Sequence, residues 1–240
     1  MNILVTGGAS GLGEAITRRI AQDADRKVYF TYNQSEANAK KIESDFPNCA
    51  AIKCDFKDEA EVNALTDIIP ELDIDVLINN AYTGSFISTY FHKTPADNFL
   101  TEFKDNIIPA IAITQACISL FREKKQGKII TILTSALGNT PPLGASVYVA
   151  NKAYLQQLAQ VWATENVKYN ITSNAISPSF MLTGFTAAMD ERIIEQITNN
   201  HPLNKLLTTD EVAAAVIPFL NATAQINGIN LVINAGSGGQ

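Results

Sequence analysis

The chain has 240 residues, 46% apolar and 18% charged, with Gly and Pro at ordinary levels. It is long enough to bury a large core and too apolar for a disordered or fibrous chain. Lys and Arg total 18 against 24 acids, a net charge of −6, so the basic face that a nucleic-acid partner requires is not expected.

In chain order, short Val- and Ile-rich runs alternate with longer amphipathic ones. Ile3–Thr6 reads as a strand and 13–21 as a helix; Val28–Tyr32 is followed by a helix over 35–46, and Ala51–Cys54 by one over 59–69. Val76–Asn79 precedes a helix over 97–121, Lys128–Leu133 one over 146–167, and Ile171–Ile176 one over 209–220, with Leu231–Ile233 as the last strand. Apolar runs with few charges mark strands covered on both faces. Strict alternation of strand and helix predicts right-handed crossovers. The expected fold is therefore α/β: a doubly wound, parallel seven-stranded sheet of Rossmann type, helices on both faces, as one domain over residues 1–240. The seven-residue tail is too short to form another.

Cys49, Cys54 and Cys117 form no CxxC pair and no cluster with histidine, so neither a disulfide framework nor a metal site is expected, and a reducing cytoplasm fits. With the glycine loop starting five residues in and no apolar run reaching roughly 18 residues, neither a signal peptide nor a membrane span is expected.

In a doubly wound sheet, ligands bind beyond the carboxyl ends of the strands, where the strand order reverses. The loop Thr6-Gly7-Gly8-Ala9-Ser10-Gly11-Leu12-Gly13 falls there, with free N–H groups and the positive end of a helix facing outward, and a pyrophosphate is its natural occupant. Gly7 allows the tight turn, Gly11 a close approach of backbone to ligand, Gly13 close packing of helix on strand, and Ser10 offers a hydroxyl to phosphate. A plain glycine-rich turn is the other reading.

Tyr148 and Lys152 lie one helical turn apart, and Ser135 follows the fifth strand. Bringing a phenol from about 10 to about 7 takes about 4 kcal/mol of preference for phenolate. An ammonium about 5 Å away, at an effective dielectric near 20, supplies about 3 kcal/mol. Lys152 is thus expected to hold the Tyr148 pKa down and ready the phenol for proton exchange. A helix tyrosine packed on the sheet is the bland alternative.

The GxxxGxG spacing of Gly7, Gly11 and Gly13, Asn79-Asn80-Ala81 after the fourth strand, Ser135, and Tyr148 with Lys152 together resemble the short-chain dehydrogenase/reductase family in its compact single-domain branch. Among its members the chain is most similar to the β-ketoacyl-carrier-protein reductases. The likeness covers essentially the whole chain, continuing through Ile176–Thr183, Pro202-Leu203, Asp210–Ala213 and Ile226-Asn227-Gly228.

The resemblance implies an NAD(P)H-dependent oxidoreductase that reduces a carbonyl to an alcohol, of 3-oxoacyl type, with a place in fatty acid biosynthesis and a substrate that is free or carrier-linked. Tyr148 would be the general acid and base, Ser135 would hold the substrate oxygen, and Lys152 would also bind the nicotinamide ribose. Asn106 would support a water chain from Lys152 to solvent; on its own it reads equally as a satisfied structural amide. Leu12, Phe56, Asn80, Ala81, Pro178, Phe180 and Thr183 would border the cofactor, and Asp55 would bond the adenine unless it caps the next helix.

Tyr32 stands at the end of the second strand, where NAD users commonly place an acid. The lack of a carboxylate favours NADP over NAD, with Asn33 and Ser35 as neutral donors to the 2′-phosphate and Lys40 or Lys41 as the nearest cations. Two residues depart from the family pattern, Tyr82 and Ser179, each in place of a glycine. Tyr82, Leu137, Leu143, Met181 and Phe185 are the expected substrate walls, between the loop after Ser135 and a mobile lid over 180–201. An acyl chain or other hydrophobic ketone suits such a cleft; simple packing explains the same residues. If Tyr82 narrows the cleft, a sugar, steroid, quinone or aromatic ketone fits better, and a dinucleotide-binding scaffold without turnover is the reading from another class. His92 and His201 match no catalytic position. On the 146–167 helix, Leu155, Leu158 and Trp162 are expected to form a stripe toward a partner while Ala153 and Tyr154 face the sheet; the family resemblance implies that this helix and the 97–121 one pair across a two-fold, in a homodimer or homotetramer.

Overall fold

A computed structural model of the chain describes residues 1–84, 88–186 and 189–237. Seven strands, β1 (Asn2–Val5), β2 (Lys27–Tyr32), β3 (Cys49–Lys53), β4 (Val76–Asn79), β5 (Gly127–Ile132), β6 (Ile171–Pro178) and β7 (Asn230–Ile233), form one sheet in the order β3-β2-β1-β4-β5-β6-β7. Every pairing is parallel. The order reverses between β1 and β4, which opens a crevice at their carboxyl ends.

The helices are α1 (Gly11–Ala21), α2 (Glu36–Asp45), α3 (Glu59–Leu72), α4 (Ala96–Lys124), α5 (Ser146–Asn166), α6 (Glu191–Asn200) and α7 (Thr209–Asn221). Successive strand residues enter opposite layers: Ile3, Val5, Val28, Phe30, Val76 and Ile78 pack with α1, α2 and α7, while Leu4, Tyr29 and Leu77 pack with α3, α4 and α5. The two-residue period of a strand produces this division, and it explains why the strands read as continuous apolar runs. Each fully buried Ile, Leu or Phe contributes about 1.5–3 kcal/mol to holding the layers together.

The segment 180–201, expected as a lid, holds a helix: Asp190 accepts a hydrogen bond from the Arg192 N–H at 2.8 Å and starts α6. Asp58 rather than Asp55 caps α3, taking the N–H groups of Ala60 and Glu61. On α5 the faces are reversed: Leu155 and Trp162 are buried in the core and Leu158 packs against it, while Tyr154 and Val161 are exposed. Ala187 and Ala188 of the expected lid, the last three residues of the tail and residues 85–87 lie outside the described residues. Among the described residues no helix is long and apolar enough to cross a membrane, and no group of His, Cys, Asp and Glu could hold a metal.

Candidate active site

The crevice is a cavity of about 1080 Å³ running from the glycine loop to Ser135 and the helix that follows it. At its first end Gly7 adopts φ +66°, and its N–H donates to the Thr31 hydroxyl at 2.8 Å. Thr6 completes the clasp: its Oγ1 accepts the N–H groups of Asn80 and Ala81, both at 3.0 Å, and its carbonyl accepts from the Asn80 amide at 2.9 Å. A Cβ on Gly13 would stand 2.0 Å from the Gly7 carbonyl oxygen, so α1 starts flush against the loop only because residue 13 has no side chain. Ser10 is the residue before α1 and makes no capping bond, which leaves its hydroxyl and the first N–H groups of the helix turned to the cavity. Open donors at a helix N-terminus in a side-chain-free cradle fit a dinucleotide's pyrophosphate.

Most sequence-predicted cofactor residues line this space: Gly7, Ser10, Gly11, Leu12, Gly13, Asn33, Ser35, Asp55, Phe56, Asn80, Ala81, Pro178, Phe180 and Thr183. Asp55 turns its carboxylate to the Lys57 N–H at 3.0 Å and, with α3 capped by Asp58, is left at the cavity wall. Lys40 does not approach: it pairs with Glu36 at 2.6 Å on the exposed face of α2, and neither it nor Lys41 borders the cavity.

At the other end Ser135, Tyr148 and Lys152 share the lining. Ser135 is buried in a short 3₁₀ turn after β5 (Ser135–Leu137), and α5 presents Tyr148 and Lys152 one turn apart. The Lys152 Nζ donates to the Ile132 carbonyl at 2.8 Å and lies 5.9 Å from the centre of the Tyr148 ring. Burial pulls the Lys152 amine down to about 8.

The expected acidification of Tyr148 is not found in the protein without ligands. Burial pushes its phenol up to about 12, opposed by a hydrogen bond with Thr134. Removing solvent from a phenolate outweighs an ammonium that already bonds a backbone carbonyl. Tyr148 therefore holds its proton at neutral pH, which is the state a proton donor needs.

Tyr82 reaches the site from the loop after β4. Its ring meets Tyr148 edge-on at 5.2 Å and Phe185 at 5.6 Å, and Phe185 lies 5.4 Å from Tyr148. Met181, Phe185 and Tyr82 line the cavity as expected. Leu137 and Leu143 do not: Leu137 packs against the core beneath the turn and Leu143 is 73% exposed to solvent. Asn139, Thr140 and Pro142 take that wall instead. Asn106 is buried on α4 outside the cavity; it accepts the Thr83 N–H at 2.5 Å and donates to the Glu102 backbone and carboxylate, both at 3.1 Å. Its side chain fastens loop to helix, while Lys152 bonds Ile132.

Sequence reasoning passed over Thr6, Thr31 and Thr134, although all three sit at strand ends beside residues it singled out. His92 is exposed, and His201 accepts the Leu203 N–H at 3.2 Å just after α6.

A sequence profile described as enoyl-(acyl carrier protein) reductase matches residues 7–237. The acetoacetyl-CoA reductase of Shinella zoogloeoides is 30% identical over 237 residues, covering 97% of this chain and 96% of that one. The 3-oxoacyl-(acyl-carrier-protein) reductase MabA of Mycobacterium tuberculosis is 28% identical, covering 99% and 92%. Among solved structures, the Pseudomonas aeruginosa RhlG/NADP active-site complex superposes with a TM-score of 0.85 at 27% identity, covering 98% and 95%. Fold, site and profile define a dinucleotide-dependent oxidoreductase. The chain belongs to the short-chain dehydrogenase/reductase family.

Proposed function

We propose that this protein reduces the ketone of a 3-oxoacyl thioester to the alcohol, using NADPH in preference to NADH. The observation that carries the reading is the shared lining: Ser135, Tyr148 and Lys152 stand at one end of a cavity whose other end is a glycine cradle. A nicotinamide bound there would supply hydride to the carbonyl carbon. Ser135 holds the carbonyl oxygen, and Tyr148 donates its proton to that oxygen as negative charge develops. Lys152 stabilises the phenolate left behind by its charge and would bind the nicotinamide ribose; Thr134 hydrogen-bonds the same phenol.

The thioester class follows from the names of the acetoacetyl-CoA and 3-oxoacyl reductases that the chain resembles over its length. Met181 and Phe185 offer an apolar wall that suits an acyl chain. NADPH is favoured because the cavity wall after β2 is Thr31, Tyr32, Asn33, Gln34 and Ser35, with no carboxylate to repel a 2′-phosphate, and because the RhlG complex holds NADP. The protein acts in the cytoplasm, in fatty acid synthesis or a related acyl route. It assembles as a homodimer or homotetramer: Leu100 and Ile108 on α4, with Tyr154 and Val161 on α5, are exposed apolar residues on neighbouring helices.

A screen of NADPH and NADH oxidation with acetoacetyl-CoA, longer 3-oxoacyl thioesters and free ketones tests this. Thioesters are expected to give the highest kcat/KM, with NADPH ahead of NADH. The rings of Tyr82 and Phe185 favour one second reading, a flat aromatic ketone; aromatic ketones outrunning every thioester would establish it instead.

A further inference from the structure

At Tyr82, where the family resemblance implies a glycine, a large side chain stands in the same cavity lining as Ser135, Tyr148 and Lys152. Its ring centre lies 5.1 Å from the Lys152 Nζ, within cation–π range, and 5.2 Å from the Tyr148 ring. The ring is strapped at its hydroxyl, which accepts from the Asn151 amide on α5 at 3.3 Å and bonds the Glu102 carboxylate on α4. Glu102 is fixed in turn by the Asn106 amide at 3.1 Å. Two helices thus clamp one phenol, with its face against the ammonium.

We propose that Tyr82 is a positioning residue, whose clamped ring screens the Lys152 ammonium from water and keeps it facing Tyr148. This rests on the catalytic reading of Tyr148 and Lys152 above. A wall fits the chemistry better than a proton relay, because burial raises the Tyr82 phenol well above its ordinary range and it keeps its proton throughout the working pH. Burial lowers the Lys152 amine to about 8, the direction that a ring excluding water from the ammonium contributes to. The other charged groups nearby are Glu102 and Asp105 on α4, with Lys57 from the loop after β3 lying 3.6 Å from Asp105.

Nitrogen-detected NMR of lysine-labelled, cofactor-free protein reads the Lys152 titration directly, with the signal assigned by its loss in Lys152→Arg. In Tyr82→Ala, water reaches the ammonium and its midpoint rises by about one unit or more. In Tyr82→Phe the ring remains and the midpoint stays near that of the parent, so the conservative variant rescues the shift. If Tyr82→Ala does not fold, Tyr82→Val carries the same expectation. An unmoved or lowered midpoint in the smaller variant overturns the proposal, and so does a Tyr82→Phe shift as large as that of Tyr82→Ala. No substrate is needed, so this test is independent of the carbonyl assignment, which the substrate screen decides.

Discussion

Lys152 shows at the scale of one residue how function opposes stability. Its amine is buried, and a fall from 10.5 to about 8 corresponds to about 3 kcal/mol at 1.36 kcal/mol per unit. The folded state carries that penalty at neutral pH. Between about pH 8 and 10.5 the folded chain has released the proton while the unfolded chain still binds it, so stability rises with pH across this window. Lys152→Met is accordingly expected to be more stable than the parent at pH 7 by about 1–3 kcal/mol, with the gap closing toward pH 10.5. Denaturant melts across this range check it; a variant less stable at pH 7, or a gap that ignores pH, contradicts it. Gly13 gives a second residue-scale expectation. An added Cβ would stand 2.0 Å from the Gly7 carbonyl, and backbone cannot yield as a flexible side chain does. Gly13→Ala is expected to weaken NADPH binding by at least tenfold in a fluorescence titration; unchanged affinity would show that the cradle is not the phosphate site.

Among the elements, those with a strict apolar pattern were legible and those on the surface were not. All seven strands lie within two residues of their expected starts because burial on both faces leaves a continuous Val and Ile signature. Helix α6 was passed over although Ile193, Ile194 and Ile197 recur at helical spacing; Ile197 borders the cavity and no residue of the helix is buried in the core. On α5, apolar residues occur on both faces, and periodicity alone does not say which one meets the sheet. The glycine cradle and the Ser135, Tyr148 and Lys152 positions were readable from local order, whereas the Tyr148 pKa depends on burial by segments far away in sequence. Capping is likewise a matter of geometry: Asp55 and Asp58 both precede α3, and only Asp58 aims its carboxylate at the free N–H groups. Asp58→Ala is expected to cost about 1 kcal/mol of stability in a thermal melt, while Asp55→Ala should leave the helix intact and act on NADPH affinity.

For the whole molecule, the doubly wound sheet sends the loops after β1, β4 and β5 to one edge and leaves α4 and α5 adjacent on the outside. The exposed apolar side chains Ile108, Tyr154 and Val161 on these helices are the expected contact between copies. Light scattering of Ile108→Asp combined with Tyr154→Asp should show a smaller particle than the parent; a parent that is already monomeric at micromolar concentration would contradict this.

The most direct test of the account follows deuterium from NADPH labelled at the transferring position into the product of acetoacetyl-CoA, in the parent and in Tyr148→Phe. The parent is expected to place the label on the new carbinol carbon, while Tyr148→Phe, binding NADPH as before, falls by about 10²–10⁴ in turnover. Near-parent turnover in Tyr148→Phe, or a product unlabelled at that carbon, would contradict the assignment of proton and hydride transfer to this site.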